Sequence, residues 1–150
     1  MRVAEVKVLA VRELECEEKV ESERKALAVW QALVETASWY DPDKEACVAL
    51  LLNNKHQVTA AHLVSLGTLD GAVVHAREVF RPAIVAAAKA VLLMHNHPSG
   101  DPTPSAEDLE MTRAMAAAGK LLDMPVLDHI VVGDRGRHYS FRAHHPEVFA

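Results

Sequence analysis

Met94-His95-Asn96-His97-Pro98-Ser99-Gly100-Asp101-Pro102-Thr103-Pro104-Ser105-Ala106-Glu107-Asp108 is the stretch on which the reading of this chain turns. The residues before it, Ala90-Val91-Leu92-Leu93-Met94, form a short apolar run that predicts a buried strand. His95 and His97 stand two residues apart at its end. Strand side chains alternate between faces, so both imidazoles point the same way and Asn96 points away. Pro98, Gly100, Pro102 and Pro104 then predict a loop whose backbone freedom is already restricted. Ser105 begins a helix and Asp108 lies in its first turn, where it can swing back toward the histidines. Two imidazoles and a carboxylate are ligands that zinc accepts, and catalytic zinc sites keep three protein ligands and a water. The stretch therefore reads as a hydrolytic metal site.

A plainer reading competes with it. Ser105-x-x-Asp108 also fits a helix capping box with Asp in the place of Glu or Gln. An Asp near a helix N-terminus is favoured by the dipole alone. Capping accounts for Ser105 and leaves the histidine pair unexplained.

His95-x-His97-Pro98, six residues, Ser105, two residues and Asp108 resemble, position for position, the motif of the JAMM (MPN-plus) metalloproteases. The resemblance is closest to the RadC-like branch. Gly67-Thr68-Leu69, His75-Ala76-Arg77-Glu78-Val79-Phe80, Ala118-Gly119-Lys120 and Leu127-Asp128-His129 carry it beyond the motif, over nearly the whole chain. It implies an α/β fold of the JAB/MPN type (cytidine-deaminase-like): a curled, mixed sheet with helices packed on its faces. It also implies one zinc per chain on His95, His97 and Asp108, and hydrolysis of a peptide or isopeptide amide in a protein or peptide substrate. By position in the fold it gives Glu45 the role of proton shuttle, after the first helix and entering a Leu-rich strand. Glu78, in the first turn of a helix, is the rival carboxylate, although the dipole there stabilises it without catalytic duty. Ser105 would steady the oxyanion of a tetrahedral intermediate, a role compatible with capping.

Upstream, Val3–Arg12 alternates like a half-buried strand, and Glu13–Glu23 reads as a polar connection. Ser22 suits the N-cap of a helix running to about Ala37, with Ala26, Val29, Trp30, Leu33 and Val34 facing the core. Ala46–Leu52 predicts a strand, Asn53–His56 a hairpin turn, and Gln57–Leu66 the returning strand. A helix carrying Glu78 and interrupted by Pro82 ends near Ala88. Downstream, a helix from Ala106 to about Leu122 presents Leu109, Met115 and Leu122, and Gly119 costs helicity or marks its end. Val126–Val132 is another strand, Gly133–Gly136 a turn and His138–Phe141 a last short strand. Asp128 and His129 face opposite ways. His129 reads first as a satisfied core histidine, with a supporting role toward the site as the alternative.

The 150 residues suit one domain, without the N-terminal helical segment of longer family members. No apolar run is long enough to span a bilayer, so no membrane role is expected. Cys16 and Cys47 form no zinc pattern and read as reduced thiols of a cytoplasmic protein. The net charge of −5 does not support nucleic acid as a partner, since phosphate binding draws on clustered Lys and Arg. A DNA-repair factor, nuclease or accessory, and a non-catalytic interaction module are the alternative classes. A homodimer stays open.

Overall fold

The computed structural model describes residues 19–67 and 74–150. The strand expected over Val3–Arg12, Cys16, and Thr68 and Leu69 of the matching phrases lie outside the described residues.

Among the described residues five strands form one sheet: β1 (Ala46–Leu52), β2 (Val58–Leu66), β3 (Ala90–Asn96), β4 (Val126–Val132) and β5 (His138–Ser140), in the order β2-β1-β3-β4-β5. β1 and β2 make the expected antiparallel hairpin, and β1 also runs antiparallel to β3. β3 and β4 are parallel, joined by the crossover helix α3 (Ala106–Leu121), and β5 returns antiparallel to β4. The sheet is thus mixed, flanked by helices, and of the α/β type.

Every residue of β1 and of β3 is buried. Both are central strands covered on both faces, which is why they read as continuous apolar runs rather than alternating ones. Val48, Leu50, Leu92, Met94, Ile130 and Val132 point to one face. There they meet Ala26, Val29, Trp30 and Val34 from α1 (Glu23–Val29) and the π-helical segment that continues it to Val34. The opposite face carries Ala49, Leu51, Val91 and Leu93 against Val79, Phe80 and Ala83 of α2 (Ala76–Val85) and Met115 of α3.

Ser22 caps α1 as predicted, accepting from the Lys25 N–H at 3.2 Å. The helical region closes at Val34 instead of Ala37, because the chain widens into a π turn in which the Glu35 N–H reaches back to the Trp30 carbonyl. Pro82 does not break α2. It removes the N–H that would serve the Glu78 carbonyl, and the His62 ring on β2 approaches that backbone instead. α2 closes at Val85, ahead of Ala88.

Three expectations need correction. Gly119 neither ends α3 nor is spare freedom: a β-carbon there would sit 2.5 Å from the Met124 carbonyl and 3.2 Å from Phe80, so glycine lets the helix lie against the turn into β4. Leu122 is half exposed at the end of the helix and does not join the core. Phe141 starts a short helix, α4 (Phe141–His144), rather than ending β5. Among the described residues no helix is long and apolar enough to cross a membrane.

Candidate metal centre

The β3 ladder does not stop with the strand. The His97 N–H donates to the Val132 carbonyl at 2.9 Å, which keeps His97 in strand geometry and on the same side as His95. The following loop is pinned to the β4–β5 turn. The Gly100 carbonyl accepts from the Asp134 N–H and from Arg137, each at 2.9 Å. Gly100 has φ +86°, and a β-carbon on it would lie 2.6 Å from the Asp134 carboxylate, so the position demands glycine twice over.

The capping box is present in full. Ser105 Oγ accepts from the Asp108 N–H at 3.1 Å, and Asp108 Oδ2 accepts from the Ser105 N–H at 2.9 Å. The plain reading and the metal reading of Ser105-x-x-Asp108 are therefore one arrangement: the box that starts α3 also aims the carboxylate. Asp108 Oδ2 lies 3.2 Å from His97 Nε2, and Oδ1 lies 3.4 Å from His95 Nε2. The two Nε2 atoms are 3.1 Å apart.

Glu45 lies just ahead of the neighbouring strand β1. Cys47 pairs with His95 across β1 and β3, so Glu45, two residues earlier, falls on the same face. Its carboxylate stands 3.4 Å from His95 Nε2. Asn96, facing away as the alternation predicts, fastens this end of β1. Its Oδ1 accepts from the Ala46 N–H at 2.8 Å and its Nδ2 donates to the Lys44 carbonyl at 3.0 Å, so the buried amide grips the backbone on both sides of Glu45. The rival Glu78 is exposed on α2 and is not part of the cluster. Ser105 is also exposed, at the head of α3.

Burial alone would raise the Asp108 carboxyl. The adjoining imidazoles of His95 and His97, which bond the carboxylate when protonated, and the Ser105 N–H outweigh it and hold the group well below the usual carboxylate range. The same Asp108 contact raises His97 against the opposing effect of burial, helped by the Asp101 carbonyl. His97 Nδ1 donates to that carbonyl at 2.8 Å, which leaves Nε2 with its lone pair toward the cluster. Cys47, on the same face, is fully buried and its thiol is pushed up to about 12, by burial first and then by Glu45 and Asp108, so it stays a thiol.

One ligand atom from each of Glu45, His95, His97 and Asp108 lies within 4.8 Å of the others. Ligands held at about 2.0–2.1 Å from a tetrahedral ion stand roughly 3.3–3.4 Å from one another. The 3.1 Å between the two Nε2 atoms is close to that edge, and the Asp108 carboxylate spans the pair, Oδ1 3.4 Å from His95 and Oδ2 3.2 Å from His97. These residues fit a divalent metal ion, with the Glu45 carboxylate beside them. A cleft of about 470 Å³ lined by Trp30, Tyr40, Asn96, Pro98 and Val132 opens on the other side of β3 and meets the cluster at His97.

Sequence reasoning undervalued His129 and missed Thr112 and the task of Asn96. His129 is fully buried. Its Nε2 is 2.7 Å from His95 Nδ1, its Nδ1 is 2.6 Å from Thr112 Oγ1, and its ring stacks on Phe141 at 5.0 Å. Thr112 stands four residues after Asp108, one turn along the same helix face, which was the signal available. Asp128 faces the other way, accepting from the Ser140 hydroxyl and the Arg142 N–H, and ties β4 to β5 and α4.

Known proteins resemble this chain over the same region. A UPF0758 protein of Desulforamulus reducens is 52% identical over 94 residues, which are 63% of this chain and 41% of that protein. One of Geobacter sulfurreducens is 52% identical over 101 residues, 67% of this chain and 44% of the relative. One of Methanosarcina barkeri is 46% identical over 99 residues, 66% and 43% of the two chains. The matched region thus spans less than half the length of these curated relatives. Residues 21–146, which hold the whole ligand cluster and every strand of the sheet, match the RadC-like JAB domain. On that match the chain belongs to the RadC-like JAB domain family.

Proposed function

We propose that this domain is a zinc-dependent hydrolase of the JAMM type that cleaves a peptide or isopeptide amide bond in a protein or peptide substrate. The observation that carries the reading is the cluster in which His95 Nε2 and His97 Nε2 stand 3.1 Å apart, Asp108 faces them with Oδ1 3.4 Å from His95 and Oδ2 3.2 Å from His97, and Glu45 lies 3.4 Å from His95. Zinc bound there lowers the pKa of a coordinated water from 15.7 to about 7. His95, His97 and Asp108 hold the ion, and the β3 ladder and the capping box keep them from splaying. Glu45 takes the proton of the attacking water and later delivers it to the departing amine nitrogen. Ser105 Oγ already accepts from the Asp108 N–H, so its own proton serves the substrate oxygen that gains charge. The cleft that meets the cluster at His97, lined by Trp30, Tyr40 and Pro98 together with Gln31, Glu35, Asp134 and Arg135, offers a mixed apolar and polar seat for part of a substrate.

The test begins with elemental analysis of tag-free protein. Near one zinc per chain is expected, falling sharply in His95→Ala and Asp108→Ala. Peptide and isopeptide mixtures, read by mass spectrometry, then give the reaction. Glu45→Gln should keep its zinc and lose about 10²–10⁴-fold in rate, the usual worth of a positioned acid–base group. Ser105→Ala should also keep zinc while slowing turnover, since an oxyanion donor is worth roughly 2.7–4 kcal/mol of barrier. Absence of zinc uptake, or full activity in Glu45→Gln, overturns the proposal.

A further inference from the structure

His95 and His97 reach the ligand cluster by the same nitrogen but are held by different means. His97 Nδ1 faces the Asp101 carbonyl, which can only accept, so its proton is placed without ambiguity. His95 Nδ1 faces another imidazole, His129 Nε2 at 2.7 Å, and an imidazole nitrogen can be donor or acceptor. The ambiguity is resolved one step further out. Thr112 Oγ1 donates its single proton to the Asp108 carbonyl at 2.6 Å. Toward His129 Nδ1, also at 2.6 Å, it can then only accept, so the His129 proton is on Nδ1. His129 Nε2 is left as an acceptor, the His95 proton goes to Nδ1, and His95 Nε2 turns a lone pair toward the cluster.

We propose that Thr112 is a positioning residue for the metal centre: through the buried His129 it dictates which nitrogen of His95 carries the proton, and so keeps Nε2 free to ligate. The inference rests on the metal reading above and deepens it. Its logic is that of the outer partners that fix a ligand histidine's tautomer, with a neutral imidazole in place of the usual carboxylate or carbonyl. The relay is rigid. His129 has no exposed surface and is held between His95 and Phe141, at ring separations of 4.8 and 5.0 Å. The circuit also closes on itself, since Thr112 is bonded to the backbone of Asp108, whose side chain faces His95 Nε2. Ligand and tautomer control are thus set by one turn of α3.

The experiment compares the full chain with Thr112→Val, which keeps the shape and removes the hydroxyl, and Thr112→Ser, which keeps the hydroxyl. Zinc affinity is read by chelator competition, and ring-nitrogen tautomers by long-range proton–nitrogen NMR on metal-free protein. Thr112→Val should bind zinc about 10–100-fold more weakly, the usual cost of losing an outer partner, and show mixed His95 and His129 tautomers. Thr112→Ser should match the wild type in both. Equal affinity in Thr112→Val overturns the relay, and so does an equal loss in Thr112→Ser, which would mark packing as the cause. Should Thr112→Val not fold, the wild-type spectrum decides alone: a proton on His129 Nε2 rules the relay out. A wild type that takes up no zinc defeats the metal reading, while its tautomers still judge the relay.

Discussion

Asn96 faces away from every ligand and still serves them. Its amide replaces one step of the β1–β3 ladder with bonds of 2.8 and 3.0 Å to Ala46 and Lys44, and Glu45 is carried between them. Asn96→Ala orphans the buried Ala46 N–H, at roughly 1–3 kcal/mol, and releases the Lys44 carbonyl of an exposed residue. The three proposed ligands sit on β3 and α3 or just beyond, so zinc content should hold while turnover falls; a variant that loses zinc as well would show that Asn96 supports β3 instead. His97 supplies the pH dependence. Asp108 raises it above the ordinary value of about 6.5, and a protonated imidazole cannot ligate. Zinc affinity should therefore decline as pH falls through a value above 6.5, approaching tenfold per pH unit below it. In metal-free protein His97 acts on folding stability with the opposite sign, while burial holds His129 low, so that its contribution is lost as pH falls below the ordinary value of about 6.5. A raised folded-state pKa gives stability that is fully present below the unfolded value and is lost as pH rises through the folded one. Chelator competition across pH 5.5–8.5 checks the first slope, and comparing denaturant titrations of wild type and His97→Ala above pH 6.5 checks the second; equal pH dependence in the two proteins would refute the assignment.

Strands were legible because both faces of the central ones are buried. β1 and β4 have the bounds read from their apolar runs, Ala46–Leu52 and Val126–Val132. The grouping of His95, His97 and Asp108 was legible because they lie within fourteen residues, where strand alternation and a capping box are local rules. Helix ends and long-range contacts were not. The π turn at Trp30–Val34 follows from packing under the sheet, and Asn96 meets partners 50 and 52 residues away. Nothing in a composition rule finds those. Gly119 makes the point measurable. Propensity says that Gly119→Ala should add about 1 kcal/mol to the helix. The methyl would meet the Met124 carbonyl at 2.5 Å and Val126 N at 3.2 Å, and overpacking costs roughly 1–3 kcal/mol. Packing should win, with a net loss of stability in urea denaturation; a gain would mean that the turn into β4 yields.

At the scale of the molecule, the cluster joins three separate parts of the chain: the entry to β1, the end of β3 and the head of α3. Removing the ion should therefore loosen the whole domain as well as empty a site. The unfolded chain does not hold Glu45, His95, His97 and Asp108 together, so zinc favours the folded state by mass action. At a free zinc concentration 1,000 times Kd the gain is about 4.1 kcal/mol. For a chain of this length each kcal/mol moves Tm by roughly 2–4 °C. Chelation should then lower Tm by about 8–16 °C, and the drop should shrink as free zinc is reduced toward Kd. The same binding energy separates ligands from supports. His95→Ala should show little shift on chelation, because it no longer has the site. Asn96→Ala should keep most of the shift from a lower starting Tm, because its bonds belong to the backbone. Thr112→Val should lose about 1.4–2.7 kcal/mol of the gain, the equivalent of its expected 10–100-fold weaker binding. Differential scanning calorimetry with and without chelator orders the three variants. A chelator-independent wild type would mean that these four side chains hold one another, through the Asp108 contacts to His95 and His97, strongly enough to need no ion.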